Sequence, residues 1–359
     1  MNPARLFCVV LVFAATSLWA QQPAAAPATN PNGEVTRPSA ITFTVEVTDK
    51  SGHPVSGLQQ SDFTLLDNQS PVSIESFAAH VPGPASPETL VVAIDTVNMG
   101  FDGGSIARGQ LMDFLRKLPG HLPYPMSLLL ITDNGIQGVG KTSDDPKVLL
   151  ADVNELSGNL RELPRSAGFW GATERQGMSV NELSLLARAA ERMPGRKLVL
   201  WVGPGWPMFD NPGVIYTDPQ LRKIFAEVVS LSNELTQAQM TLYDVDPLGG
   251  SDAGSFRTFA WEGYTAPVRR WDKSVAGNLA LQVLAVQSGG LVLNSSNDVA
   301  GEVNTCAQDG AAWYTVTFVP QADEKPDTWH SVKVKLDKPG LIVRTRPGYY
   351  AQPAIIGHP

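Results

Sequence analysis

Residues 89–95 read TLVVAID, and three later stretches repeat that texture: MSLLLIT at 126–132, KLVLWVG at 197–203 and MTLYDVD at 240–246. Each is a short, nearly continuous apolar run, the pattern of a strand covered on both faces. The segments between them carry helical periodicity. SIARGQLMDFLRKL (105–118) places Ile106, Leu111, Phe114, Leu115 and Leu118 on one stripe. A second helix is predicted from about Pro146, capped by Asp144 or Asp145, and a third over 180–192, stopped by Pro194-Gly195. Further helices are predicted over 218–239, 278–287 (before the strand GGLVLN, 289–294) and near 298–308. Strands and helices alternating at this spacing predict right-handed crossovers, hence an α/β domain with a doubly wound, mostly parallel sheet over 85–310.

Outward from this block the period changes to two. ITFTVEVTD and DFTLLDNQSPVSIESFAAH precede it, and WYTVTFVP, HSVKVKLD and GLIVRTRPGYY follow it. Each β block is too small to bury two sheet faces alone. The expectation is that 41–84 and 311–351 fold together as a β-sandwich built from N- and C-terminal strands, with the α/β domain inserted between them. Residues 21–40, rich in Pro, Ala and Asn, read as a disordered linker, and 352–359 as a tail. Residues 1–20 read as a signal peptide: Arg5, an apolar run from Leu6 to Leu18, and Ala20 before the cut. No other apolar run approaches ~18 residues, so no transmembrane span is expected after cleavage, and the location is secreted or periplasmic. Cleavage removes Cys8, leaving Cys306 as a single thiol that reads as a small buried hydrophobe.

With 43% apolar and 17% charged residues over 359, the chain is of globular composition. A formal charge of −8 opposes nucleic-acid binding, which needs clustered positive charge.

The segments 45–77 (VEVTDKSGHPVSGLQQSDFTLLDNQSPVSIESF), MPGRKLVLWVGPGWP (193–207), LYDVDPLG (242–249), LAVQSGGLVLNSSND (284–298) and VKVKLDKPGLIVRTRPGYYA (332–351) resemble, in order, the blocks of the acidobacterial VWFA-related domain proteins. The resemblance covers about 41–351. It implies a von Willebrand factor type A-like α/β domain flanked by β segments, and no established activity. Domains of this type often hold a metal at the C-terminal edge of the sheet through D-x-S-x-S, a Thr and a further Asp, the oxygen-rich set that Mg²⁺ requires. Asp95 matches the first position, but Val97 and Met99 replace the two serines, and Gly203-Pro204-Gly205 stands where the last Asp belongs. Thr173 is a weak second-loop candidate, and Asn98, Asp102 and Asp133 are the available substitutes. The expectation is a degenerate site with no cofactor, in which Asp95 satisfies loop N–H groups. A rearranged Mg²⁺ or Ca²⁺ site around Asp95 in a metal-dependent adhesion domain is the alternative.

GIQGVGKT (135–142) matches the phosphate-loop pattern, with Lys141 and Thr142 in the phosphate and Mg²⁺ positions. Asp144, Asp145 and Pro146 delay the helix that should face the phosphates, so a glycine-rich hairpin is the favoured reading and nucleotide binding the lesser one. There is no G-x-S-x-G elbow and no H-E-x-x-H pair, and His53 and His330 read as solvated. Asp244 and Asp246 share a strand face, with a turn-stabilising role preferred over a catalytic one. Aromatics crowd two regions at and after strand ends: Trp201, Trp206, Phe209 and Tyr216, then Phe256, Phe259, Trp261, Tyr264 and Trp271 with Arg269 and Arg270. They are either exposed interface anchors or a mini-core that stabilises long loops. The function expected is a non-enzymatic module that engages a protein or cell-surface ligand at the sheet's C-terminal rim. Trp206, Phe209, Trp261, Tyr264, Arg269 and Trp271 are the candidate contacts.

Overall fold

The computed structural model describes residues 28–29, 35–37, 40–81, 88–156, 168–206, 215–248, 261–294, 296, 298–320, 325–352 and 355–357. Residues 1–20, the expected signal, lie outside them. Strands β1 (Ala28–Thr29) and β2 (Val35–Arg37) pair antiparallel, and β17 (Ile355–Gly357) joins β2 on its other side. The expected linker and tail are therefore corrected at these positions. Val35, Thr36, Ile355 and Ile356 are β-branched and suit a ladder.

From Ile41 the two-residue period becomes antiparallel sheet. Strands β3 (Ile41–Thr48), β4 (Phe63–Asp67), β5 (Ser70–Val72) and β6 (Ser76–His80) come from the N-terminal block. Strands β13 (Trp313–Phe318), β14 (Trp329–Leu336), β15 (Ile342–Thr345) and β16 (Gly348–Tyr350) come from the C-terminal one. Neither block keeps to itself. The two four-stranded sheets have orders β15-β3-β13-β6 and β16-β14-β4-β5, so each mixes both ends of the chain. Alternate residues of both sheets (Phe43, Val45, Val47, Val316 and Phe318 from one, Phe63, Leu65, Val332 and Val334 from the other) fill one shared core. His330 belongs to this region and is buried, not solvated. Its Nδ1 lies 3.0 Å from Asp67 Oδ1, because β14 carries it into the sheet beside Tyr349.

The apolar runs between these blocks form one six-stranded sheet. It contains β7 (Glu88–Asp95), β8 (Met126–Thr132), β9 (Gly135–Ser143), β10 (Arg196–Val202), β11 (Met240–Val245) and β12 (Val292–Leu293), in the order β12-β11-β10-β7-β8-β9. All neighbours are parallel except β8 and β9. The continuous apolar runs follow from coverage on both faces. Leu90, Val92 and Ile94 point to α1 (Phe101–Lys117), α2 (Pro146–Glu155) and α6 (Val299–Gln308), while Val91 and Ala93 point to α3 (Gly168–Glu191), α4 (Asp218–Gln237) and α5 (Leu281–Gln287). Among the described residues, no helix is long and apolar enough to cross a membrane.

Three helices depart from the sequence pattern. Helix α1 begins at Phe101, before the expected 105, and buries Gly103 and Gly104; a Cβ on Gly103 would lie 2.6 Å from Met99 Cγ. Ile106 is 40% exposed instead of lying on the buried stripe. Helix α3 starts well before 180, although its first turns lack apolar periodicity. The helix expected from 278 is split into a 3₁₀ turn over Ala276–Leu279 and α5, with Ala280 extended between them.

At the strand-start edge of the parallel sheet, a buried charge cluster joins it to the antiparallel sheets. The guanidinium of Arg196, fully buried at the head of β10, donates to the Glu46 carboxylate on β3, to Glu88 Oε1 (3.5 Å), to the Asp309 carbonyl (3.1 Å) and to Thr241 Oγ1 (3.3 Å). Arg344 on β15 reaches the Asp309 carboxylate, which also accepts from Tyr243 Oη at 2.6 Å.

Candidate functional site

In a doubly wound sheet, the loops at the C-terminal ends of the strands form the ligand-facing rim. Asp95 closes β7 at that rim and is fully buried. Its Oδ1 accepts from the backbone N–H groups of Val97 (2.9 Å) and Asn98 (3.0 Å). Its Oδ2 accepts from Asn98 Nδ2 (2.8 Å) and from the indole Nε1 of Trp201 on β10 (2.9 Å). Two N–H donors on each oxygen use all the lone-pair directions that an ionised carboxylate offers. Burial pushes the Asp95 carboxyl up from its ordinary value, and the Asn98 and Trp201 hydrogen bonds oppose that rise.

These residues do not fit the metal that the type A resemblance implies. A cation would have to displace N–H donors from Asp95, and nothing beside it supplies the missing oxygens. Val97 and Met99, in the serine positions, are buried in the cores on opposite faces of the sheet. Gly203, the residue after β10, approaches Asp95 closely: an added Cβ would sit 3.0 Å from Asp95 Cβ, so any side chain there is crowded. The residue that meets Asn98 from α3 is Ser179, whose Oγ accepts from Asn98 Nδ2 at 2.8 Å. Thr173, on the same helix, is exposed. Asp102 and Asp133 are also exposed, and Asp133 Oδ1 accepts from Asn134 Nδ2 at 2.9 Å. Ser179 escapes sequence reasoning, and Trp201 reads there only as a rim aromatic, because both lie on other elements and no motif spacing connects them to Asp95. Among the described residues, no group of three or more His, Cys, Asp or Glu side chains is placed to hold a metal ion.

The glycine-rich segment 135–142 is strand, not phosphate loop. It forms β9, antiparallel to β8 with Thr132↔Gly135 and Leu128↔Val139 in register. Its extended backbone, paired with β8 from Gly135 to Val139, does not curl into the ring of N–H groups that a phosphate needs. Lys141 is exposed on this strand, Thr142 Oγ1 lies 2.7 Å from Ser127 Oγ, and α2 is capped by Asp145, which accepts from Lys147 N at 2.8 Å.

The aromatic candidates divide. Trp206 is corrected: at 4% exposure it is no interface anchor, because it packs edge-on against Trp201 with ring centroids 5.4 Å apart. Trp261 and Tyr264 are half-buried and pack on Ala280 and Val283, so they act as a small core under their own loop. Trp271 is half-buried beneath the Arg222 guanidinium of α4, 3.7 Å from its ring centroid. Arg269 is exposed. Phe209, Phe256 and Phe259 lie outside the described residues.

No family model matches the chain, and no curated protein matches it. Among solved structures it is similar to the manganese-loaded TRAP protein of Plasmodium vivax, at 12% identity over 75% of this chain and 96% of that one, with a TM-score of 0.34. It is also similar to the pilus adhesin SpaC from Lactobacillus rhamnosus GG in its open conformation, at 9% identity over 81% of this chain and 48% of that one, TM-score 0.38. A third likeness is to the SpRpn10 VWA domain, at 12% identity over 60% of this chain and 93% of that one, TM-score 0.30. The chain spans about half the length of the adhesin.

Two apolar side chains stand exposed at the rim, beside exposed Asp102 and Asp133 and above a buried acidic base. Phe101, at the first residue of α1 after β7, is 53% exposed, and Ile215, in the connection after β10, is 90% exposed. Asp244 and Asp246 of the β11 end are both buried, and Asp246 Oδ1 accepts from Leu248 N at 3.0 Å, a turn-stabilising contact. Burial, with the Asp246 and Asp298 carboxylates, pushes nearby Glu302 up to about 8. Cys306 is fully buried and burial pushes its thiol up, away from nucleophilic character.

Proposed function

We propose that this chain is a secreted or periplasmic, non-enzymatic binding module of von Willebrand factor type A-like build, held in a β-sandwich made from its two ends. It engages a protein or cell-surface partner at the C-terminal rim of its parallel sheet, without a metal. The observation that carries this reading is the Asp95 carboxylate, whose two oxygens are filled by four N–H donors and so offer a cation no open lone pair. A rim that is quiet in this way attracts a partner by apolar contact. Phe101 and Ile215 follow neighbouring strands and supply it, with exposed Arg269 as a polar contact.

The test places a photo-crosslinking residue at 101, at 215 and, as a control, at 148, where an exposed Val148 lies on α2 near the opposite edge of the sheet. The protein is irradiated as its native cells export it. Adducts at 101 and 215 that persist in EDTA, and are absent at 148, are expected. Loss of the adducts in EDTA, or the same adducts at 148, overturns the reading.

A further inference from the structure

The charge cluster at the strand-start edge of the parallel sheet does not balance. Its antiparallel wall is a row of four cross-strand neighbours, Arg344, Glu46, Trp313 and His80, from β15, β3, β13 and β6. Directly opposite residues share a face of their sheet. This face meets Arg196, whose guanidinium contacts Glu46 and lies 5.2 Å from the Trp313 ring centroid. Arg196 is paired in register with Glu88, at the heads of β10 and β7. Asp309, just after α6, completes the group. Three carboxylates therefore meet two guanidiniums.

The other titratable neighbours do not supply the missing charge. Burial pushes up Tyr124 (just before β8), Tyr243 (β11) and Cys306 (α6), and all three stay neutral. His80 is held below its ordinary value by burial and by the Arg196 guanidinium, so it brings no positive charge near neutrality. Arg346 donates to Thr236 Oγ1 of α4 instead. Geometry then singles out the carboxyl in excess. Glu46 is in close contact with Arg196, and Asp309 with Arg344 and, at 2.6 Å, with Tyr243 Oη. Glu88, at 1% exposure, meets Arg196 Nη1 at 3.5 Å through Oε1, beyond the usual hydrogen-bond range. Its Oε2 is buried with no hydrogen-bond partner. A buried charge that lacks close donors on both oxygens costs far more than a neutral carboxyl in the same place.

We infer that Glu88 carries a proton in the assembled molecule and acts as a latch between the parallel sheet and the antiparallel sheets. Neutral, it lets β3 and β15 sit on the heads of β7 and β10. Ionised, it sets three carboxylates against two guanidiniums and loosens that joint. Burial raises Glu88 from 4.5 to about 7 against the pull of Arg196, so the latch is fully closed below about pH 4.5 and is lost as pH rises through about 7. Between about pH 6 and about pH 8.5 this amounts to about a ten-fold change in the opening equilibrium of the joint.

Amide hydrogen exchange on the full chain, corrected for the intrinsic rate at each pH, reads the joint directly. Protection over 43–47 of β3 and 313–318 of β13 is expected to fall about ten-fold from about pH 6 to about pH 8.5. Residues 198–202 of β10, in the interior of the parallel sheet, change less. Glu88→Gln, of the same shape and always neutral, abolishes the step. Glu302→Gln, in the first turn of α6 and so at the far end of that helix from Asp309, keeps it. If Glu88→Gln fails to fold, infrared spectroscopy of Glu302→Gln takes its place. There a buried protonated-carboxyl band, present at about pH 6 and lost by about pH 8.5, is expected for Glu88. The inference is overturned if the step is absent, if it survives Glu88→Gln, if it disappears in Glu302→Gln, if 198–202 show it in full, or if the infrared band is missing.

Discussion

Replacing Asp95 by Asn tests the central chemical claim about the rim. The side chain keeps its size, and one oxygen still accepts from the Val97 and Asn98 backbone N–H groups. The new amide nitrogen then faces two donors, Asn98 Nδ2 and Trp201 Nε1, neither of which can bond to it. A buried donor left without an acceptor costs ~1–3 kcal/mol. Two of them, less the relief of no longer burying a charge, give a loss of about 2–4 kcal/mol. At ~2–4 °C per kcal/mol for a domain of this size, the melting temperature falls by roughly 5–15 °C. Asp95→Ala, which strands all four donors, falls at least as far. The assay is thermal unfolding of parent and variants in EDTA and in excess Mg²⁺, Mn²⁺ or Ca²⁺. A metal bound at a hundred times its Kd would stabilise the parent by ~2.7 kcal/mol, a visible shift. No metal-dependent shift is expected. The reasoning is refuted if Asp95→Asn melts within about a degree of the parent, or if Mg²⁺ raises the parent's melting temperature and not the variant's.

Two further outcomes follow from buried charge. Arg196→Met leaves Glu46 and Glu88 buried without their guanidinium, a loss of ~3–5 kcal/mol in urea unfolding, and adding Glu88→Gln recovers part of it; an unchanged urea midpoint would show that the cluster adds nothing. Glu302, raised from 4.5 to about 8, favours folding most in its protonated form. Its contribution is complete below about pH 4.5 and is lost as pH rises through about 8. Glu88, raised to about 7 by burial against the opposing pull of Arg196, adds a lower step in the same direction. Melting temperature should therefore fall from about pH 5 to about pH 8.5, and Glu302→Gln should flatten that slope, which a pH series of melts will read.

Much of the fold was legible because burial on two faces and burial on one leave different periods in the sequence. The runs at 89–95 and 197–203 are strands of the parallel sheet, and the alternating blocks at 41–48 and 313–318 are antiparallel neighbours. What failed was local and had tertiary causes. The start of α1 seats Gly103 against Met99, and a stripe drawn from apolar residues alone cannot see a glycine that is buried for closeness. The early turns of α3 carry no period to read. The position of Asp95 was visible as the last residue of an apolar run, but its donors Trp201 and Asn98 meet it through chain folding across 106 positions in one case and three in the other. Trp206 shows the converse. An aromatic residue just beyond a strand end has the same sequence signature whether it is displayed or packed, and only the position of Trp201 decides between them.

The pairing of β3 with β13, which sets Phe43 opposite Val316 and Glu46 opposite Trp313, also governs the order of events at synthesis. Strand β3 has no sheet neighbour until nearly the whole chain has emerged, while the six-stranded sheet between β3 and β13 closes from nearer neighbours. The α/β layer is therefore the early folding unit. ITFTVEV waits as an unpaired, β-branched strand, the kind of segment that is prone to pair with another chain. The Arg196–Glu46 contact ties the two together, since Glu46 lies on β3 and Arg196 heads a strand of the parallel sheet.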